Sequence, residues 1–169
     1  MSNTATPAAT RKISPPLTLA TEGDTHIVIT RHFNAPPAVV YRAHTEPAII
    51  QRWLLGPDGW TMPVCIFEPY PGGRMRYEFV NEKGHGFSIT GEIIEVEPGR
   101  RIVHMERMHL PDPTPDCRGE TTFEPEGDGT LMTIRLTTPN SETRTQMLST
   151  GMAGGMEASY ARLESLLPF

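Results

Sequence analysis

The sequence of 169 residues predicts a single α+β domain in which an antiparallel sheet is covered by a C-terminal helix. Short stretches that alternate apolar and polar residues recur between glycine- and proline-rich turns, which is typical of antiparallel strands. Near the C-terminus the apolar residues instead recur three and four positions apart, as in an amphipathic helix. The predicted order is one strand, two short helices, six strands and one long helix.

Composition excludes several classes of function. Hydrophobic residues make up 37% of the chain and charged residues 21%, which is typical of a soluble globular protein. The net charge of −5 gives no basic surplus for binding nucleic acid. No apolar run approaches the roughly 20 residues of a membrane span, and the N-terminus lacks the apolar region of a signal peptide. We therefore predict a cytoplasmic protein in which Cys65 and Cys117 are free thiols.

The N-terminal third of the chain begins with a segment that shows no periodicity. Residues 1–22 are rich in Thr, Ala, Pro and Ser, and they are predicted to form a flexible tail before a domain at residues 23–169. Alternating residues predict the first strand over residues 25–33. Two short helices follow at about residues 36–43 and 46–54, because proline favours the first turn of a helix and Thr45 can cap the second one.

Six further strands are predicted between a turn at residues 56–59 and the long helix. They span residues 60–67, 74–80, 87–97, 101–109, 117–124 and 131–138. Pro63 lacks a backbone N–H, so the first of the six is predicted to be an edge strand or to contain a bulge. The adjacent Ile93 and Ile94 break the alternation of the third, where Gly91 would permit a bend.

The predicted C-terminal helix starts at Asn140 or Ser141, with the spacing of a capping box. Its first half is weakened by three glycines, each of which costs a helix interior roughly 1 kcal/mol. They are Gly151, Gly154 and Gly155. Either the glycines let the helix pack closely against the sheet, or they leave room for local opening under a flexible lid of methionines. The lid would consist of Met147, Met152 and Met156.

Five segments carry a resemblance to a known family. They are FNAPPAVVYRAHTEP, RWLLGPDGW, VCIFEPYPGGRMRYEF, TGEIIEVEPGRRIVHMER and GMEASYARLESLL. Their order and spacing resemble the START-like (SRPBCC) helix-grip superfamily, and within it the activator-of-heat-shock-protein-90-ATPase homologues. The resemblance covers about residues 24–167. It implies a curved seven-stranded antiparallel sheet that grips the long C-terminal helix, with the two short helices after the first strand.

The resemblance also implies an apolar cavity between sheet and helix, which would bind a small apolar or amphipathic molecule. The loops at residues 81–86 and 110–116, with the start of the long helix, would surround its mouth. Methionine suits such a wall because its flexible side chain adapts to irregular ligands. The candidate ligand-binding residues are Trp60, Met75, Tyr77, Phe79, Met105, Met132, Ile134, Met147, Met152 and Met156. Ordinary core packing is the better explanation for most of them. Trp53 and Trp60 are expected to pack the short helices against the sheet, with a place in the cavity wall as the alternative.

The residues alone assign no catalytic group, metal or cofactor. The six histidines show no metal-ligand spacing, and no phosphate loop, nucleophile elbow or dinucleotide fingerprint is present. Acidic and basic side chains on neighbouring strands are the candidates for acid–base chemistry: Glu92, Glu95, His104 and Glu106. If Val103 and Met105 face inward, however, His104 and Glu106 face outward.

Two alternative functions stay open beside ligand binding. A cyclase- or hydrolase-like enzyme on the same scaffold would need an ionisable side chain inside the cavity. A chaperone-interacting module would need an outer contact surface, and a chaperone or a second copy of the chain is its candidate partner.

Overall fold

The structure is a computed structural model that describes residues 14–168. These residues contain nine strands and four helices in an α+β arrangement. The strands are β1 (Thr18–Glu22), β2 (His26–Phe33), β3 (Trp60–Phe67), β4 (Arg74–Asn81), β5 (Gly86–Glu97), β6 (Arg101–Leu110), β7 (Asp112–Pro113), β8 (Cys117–Glu126) and β9 (Gly129–Thr137). The helices are α1 (Pro37–Thr45), α2 (Pro47–Trp53), α3 (Ser141–Ser149) and α4 (Met152–Leu166). The predicted order of elements is confirmed, with two additional strands and a divided C-terminal helix.

The sheet is antiparallel throughout, and its strands are ordered β1-β2-β9-β8-β6-β5-β4-β3, with the short β7 paired to the end of β6. The seven predicted strands are all present; β1 and β7 are the additional ones. The predicted flexible tail is wrong for Thr18–Glu22, which forms β1 and pairs along β2. Residues 1–13 of that predicted tail lie outside the described residues.

Two irregularities follow the sequence predictions. β3 lies at an edge of the sheet, and its register against β4 shifts between Thr61 and Val64, around Pro63. A proline is tolerated there because an edge strand leaves one side of its backbone unpaired. The register of β5 against β6 shifts between Ile93 and Glu95. That bulge returns Ile93 to the buried face while Ile94 remains exposed.

One face of the sheet forms the core with the helices. The alternating residues of β4 are confirmed to share this inner face, since Met75, Tyr77 and Phe79 are all buried. The short helices close one end of the core through Trp53, which is buried and whose Nε1 donates a hydrogen bond to the Ala43 carbonyl at 3.0 Å. No helix within residues 14–168 is both long enough and apolar enough to cross a membrane.

The predicted C-terminal helical region is present, but the prediction that it is one continuous helix is wrong. Asn140 caps α3, because its side-chain oxygen accepts a hydrogen bond from the Thr143 backbone N–H at 2.8 Å. α3 then ends at Ser149, and Gly151 adopts a left-handed conformation with φ of 75° before α4 begins. Glycine adopts this conformation without the steric cost that a Cβ would add. The helix is therefore interrupted at one glycine rather than weakened along its first half.

The other two glycines do not serve close packing. A Cβ added at Gly154 would meet no atom within 4 Å, and one at Gly155 would meet only the Pro57 Cδ at 4.0 Å. The explanation that these glycines bring the helix close to the sheet is therefore wrong. The alternative of local opening stays a prediction.

Alanine substitutions should separate the roles of these glycines. We expect Gly154→Ala and Gly155→Ala each to raise the free energy of unfolding by about 0.5–1 kcal/mol, since both sites have room and helical geometry. Gly151→Ala should lower it by about 1 kcal/mol, because its φ of 75° is unfavourable for alanine. Urea unfolding of the three variants measures both effects, and stabilisation by Gly151→Ala would contradict the assignment of the helix break.

Candidate functional site

A cavity of about 310 Å³ lies between the inner face of the sheet and the junction of α3 with α4, and it is partly open to solvent. Its wall is mostly apolar and is formed by β5, β6, the segment from Leu110 to Cys117, α3 and the start of α4. The wall residues are Ile89, Glu106, Arg107, Met108, Leu110, Asp112, Thr114, Pro115, Cys117, Thr143, Gln146, Met147, Thr150 and Met152. Its volume is at the lower end of the range of small-molecule sites.

The mouth of the cavity agrees only in part with the expectation from the resemblance. The loop at residues 110–116 and the C-terminal helices contribute to the wall, whereas no residue of the 81–86 loop does. The interruption of the C-terminal helix bears on this site, because Thr150 and Met152, on either side of Gly151, both line the cavity.

The residues of β6 that face the core are not those that the sequence analysis expected. Residues directly opposite each other in antiparallel strands share a face. Glu106 lies opposite Cys117 of β8, which is buried, whereas Met105 lies opposite Arg118 on the outer face. His104 and Glu106 therefore face inward, and the prediction that Met105 faces inward is wrong. The sequence misled because apolar residues occur in both phases of this strand, so the choice depended on its neighbours.

The side chains of His104 and Glu106 lie close together on this inner face. The His104 Nε2 lies 3.4 Å from the Glu106 Oε2, and the two side chains are 14% and 25% exposed. The neighbouring strand accommodates the imidazole at Gly119, where an added Cβ would lie 2.5 Å from the His104 Cε1. The absence of a side chain at residue 119 thus creates the space for the ring.

Three further titratable side chains lie near the Glu106 carboxylate. Burial, followed by the field of nearby negative groups that include Glu106, raises the pKa of Tyr77 well above its usual value. The same two causes raise the pKa of Tyr160, although nearby Arg31 opposes them. The Cys117 pKa rises to about 11 for the same reasons, so this thiol is protonated at neutral pH. The two phenols and the thiol are therefore neutral groups beside the carboxylate.

The thiol is also in contact with the predicted lid. The Cys117 Sγ lies 3.8 Å from the Met147 Sδ and 3.7 Å from the Pro115 carbonyl oxygen. These contacts connect α3 with the segment from Leu110 to Cys117. Both cysteines are free thiols, as predicted.

The structure brings only two of the ten predicted ligand-binding residues to the cavity wall, Met147 and Met152. Five others are buried in the core: Met75, Tyr77, Phe79, Met132 and Ile134. Trp60 and Met156 are partly buried against that core, where the Trp60 ring contacts the Phe87 ring with 5.4 Å between centroids. Met105 lies on the outer face. Most of the ten predicted residues therefore pack in or against the core.

Several wall residues were not predicted to line the cavity. Glu106, Met108 and Cys117 line the cavity, and all three follow from the inward phase of β6 and β8. The apolar Ile102 and Met108 alternate in phase with Glu106, and this alternation could have indicated that Glu106 faces inward. Among residues 14–168, no group of three or more His, Cys, Asp or Glu side chains is arranged to hold a metal ion.

The family of the chain follows from comparison with known proteins. The family model described as "Activator of Hsp90 ATPase homolog 1-like protein" matches residues 34–168. The chain belongs to this family. The match confirms the resemblance drawn from the five sequence segments and includes every residue of the cavity wall. No curated protein matches the sequence.

Solved structures agree with membership in the Activator of Hsp90 ATPase homolog 1-like family. A protein from Rhodobacter sphaeroides is 28% identical with a TM-score of 0.85, over 90% of this chain and 98% of that one. A protein from Mycobacterium smegmatis is 24% identical with a TM-score of 0.80, over the same shares of the two chains. The AHSA1 protein from Silicibacter pomeroyi is 17% identical with a TM-score of 0.68, over 84% and 96%. The last two likenesses show the fold alone, and together the three confirm the predicted helix-grip architecture.

Proposed function

We propose that this protein binds a small apolar or amphipathic molecule in the cavity between β6 and the junction of α3 with α4. The observation that carries the proposal is a mostly apolar, partly open space of about 310 Å³ between the sheet and the C-terminal helices. Protein interiors generally leave few voids larger than a water molecule. Flexible side chains at Met108, Met147 and Met152 suit ligands of variable shape.

A second candidate function is a cyclase- or hydrolase-like enzyme that uses the same cavity. The observation that favours it is the inward-facing Glu106, since such chemistry requires an ionisable group inside the cavity. Binding and catalysis share one site here, so an assay for binding comes first. Chemical change of a bound molecule, detected by mass spectrometry, would then favour the enzyme.

Calorimetric titration with octanol, a neutral amphipathic probe, tests the proposed site. Gln146→Trp places an indole at the cavity wall, and we expect it to weaken octanol binding at least tenfold by occupying the space. Thr145→Trp is the matched control, because Thr145 is exposed on the same helix and lies outside the wall. Thermal unfolding of both variants checks that the fold is retained.

Two results would contradict the proposal. One is the absence of octanol binding to the wild-type chain together with native mass spectra that show no co-purified molecule. The other is an equal loss of octanol affinity in the two tryptophan variants, which would show that octanol does not bind in the cavity.

A further inference from the structure

Glu106 is an inward-facing carboxylate in the wall of this cavity. Within residues 14–168 its carboxylate accepts no hydrogen bond, and the 3.4 Å separation from the His104 Nε2 is longer than a good charge-assisted bond. A carboxylate has two oxygens that accept about four hydrogen bonds. In a mostly apolar wall, this acceptor therefore has capacity for a ligand.

The charged neighbours of the cavity do not neutralise this carboxylate. Arg107 is next to Glu106 in β6, but its guanidinium donates two hydrogen bonds to Asp116, at 2.6 and 2.9 Å. Asp112 adds a second carboxylate to the wall. The Tyr77, Tyr160 and Cys117 groups near Glu106 are neutral at pH 7, because burial and nearby negative charge raise the pKa of each.

The wall is consequently apolar over most of its surface, and its two carboxylates, Glu106 and Asp112, give it acceptor character. A ligand that matches it has a short apolar body and a hydrogen-bond donor, such as an ammonium or hydroxyl group, at one end. A carboxylate at that end would meet Glu106 as a like charge and would lose its hydration without gaining a donor.

We propose that Glu106 is a ligand-binding residue that selects amphipathic molecules with an ammonium or hydroxyl end group and discriminates against carboxylates. The inference rests on the proposed function, because it assigns the polar end of the same cavity.

Three probes of equal chain length test the selection: octylamine, octanol and octanoate. We expect the full-length wild-type chain to bind octylamine about tenfold or more tightly than octanoate, with octanol between them, in calorimetric titrations below the micellar concentrations. Glu106→Gln keeps the size of the side chain and removes its charge. It should weaken octylamine binding about tenfold, leave octanol binding within about threefold, and strengthen octanoate binding.

Glu92→Gln is the matched control. Glu92 is an exposed residue of β5 that lies opposite Met105, on the outer face of the same sheet. Its substitution removes the same charge without changing the cavity, so the order of the three probes should be that of the wild type.

The outcomes separate this inference from the proposed function. If octanol binds but octanoate binds as tightly as octylamine, or if Glu106→Gln behaves like Glu92→Gln, the assignment of Glu106 is wrong and the cavity remains a binding site. If none of the three probes binds, the assignment of Glu106 is overturned. If native mass spectra also show no co-purified molecule, the proposed function fails with it.

Discussion

Glu157→Gln is expected to lower the free energy of unfolding by about 2–4 kcal/mol. Glu157 of α4 pairs with Arg31 of β2, whose side chain is only 2% exposed, through contacts of 3.1 Å. Glutamine keeps the shape of the side chain but leaves the Arg31 guanidinium as a buried, uncompensated cation. It also weakens the acceptor that the Leu17 backbone N–H uses at 2.9 Å, next to β1. Urea unfolding at neutral pH measures the loss.

An exposed ion pair provides the control for this prediction. Arg76 and Glu78 on β4 are 44% and 36% exposed, so Glu78→Gln should change stability by less than about 1 kcal/mol. Adding Arg31→Met to Glu157→Gln removes the buried cation and should recover much of the stability. Two results would contradict the explanation by an uncompensated buried charge. One is an equal loss of unfolding free energy in Glu157→Gln and Glu78→Gln, and the other is a further loss when Arg31→Met is added to Glu157→Gln.

Acid should destabilise the protein through His44, by about 2 kcal/mol between pH 7.5 and pH 5. His44 lies among the rings of Phe33, Trp53, Phe123 and Tyr160, with centroid distances of 4.8 to 6.4 Å. Its Nδ1 donates to the Val40 carbonyl at 2.7 Å, which offsets only part of the effect of burial. The Nε2 atom is buried and has no hydrogen-bond partner among the described residues.

The sign of this effect follows from the imidazole pKa. Burial lowers the pKa of His44 from 6.5 to about 4, so the folded state disfavours the protonated ring. The stability that neutral His44 contributes is present above pH 6.5 and is lost as the pH falls through 6.5 toward 4.

Comparison of two variants isolates this histidine from the general effect of acid. His44→Gln should lose about 2 kcal/mol less stability than the wild type between pH 7.5 and pH 5, as measured by urea unfolding. His85→Gln, at an exposed loop position, should follow the wild-type pH dependence. An equally steep fall in the His44→Gln variant would show that other groups cause the acid sensitivity.

Local sequence features predicted most of the fold. The alternation of residues in β4, the proline at the start of α1 and the Asn140 cap depend on neighbours within a few positions. The irregularities at Pro63 and Ile94 were predicted for the same reason. The missing N–H of a proline and two adjacent apolar residues each disturb a strand at their own position. The prediction that Thr45 caps α2 is wrong, because Thr45 ends α1 and Glu46 precedes α2. β1 was missed because its pairing with β2 is made by backbone atoms of a segment without apolar alternation.

The candidate site was less predictable than the fold. Met147 and Met152 were predicted as part of a methionine lid, and both line the cavity. Met105 was placed on the wrong face, because the apolar residues of β6 fit either phase and a shift of one residue moves every side chain to the other face. The outward position of Glu106 was conditional on that placement. The pairing of Glu106 with Cys117 resolves the choice, and no local pattern contains it.

The sequence by itself determined the order of elements, the edge position of β3, the bulge in β5 and the family, because these depend on short-range chemistry and on motifs in a fixed order. Only the tertiary structure decided which side chains meet at the cavity, that the C-terminal helix is interrupted at Gly151, and that Arg31 is buried against Glu157. These features join residues that are far apart in the chain, so their energies come from partners that only folding brings together.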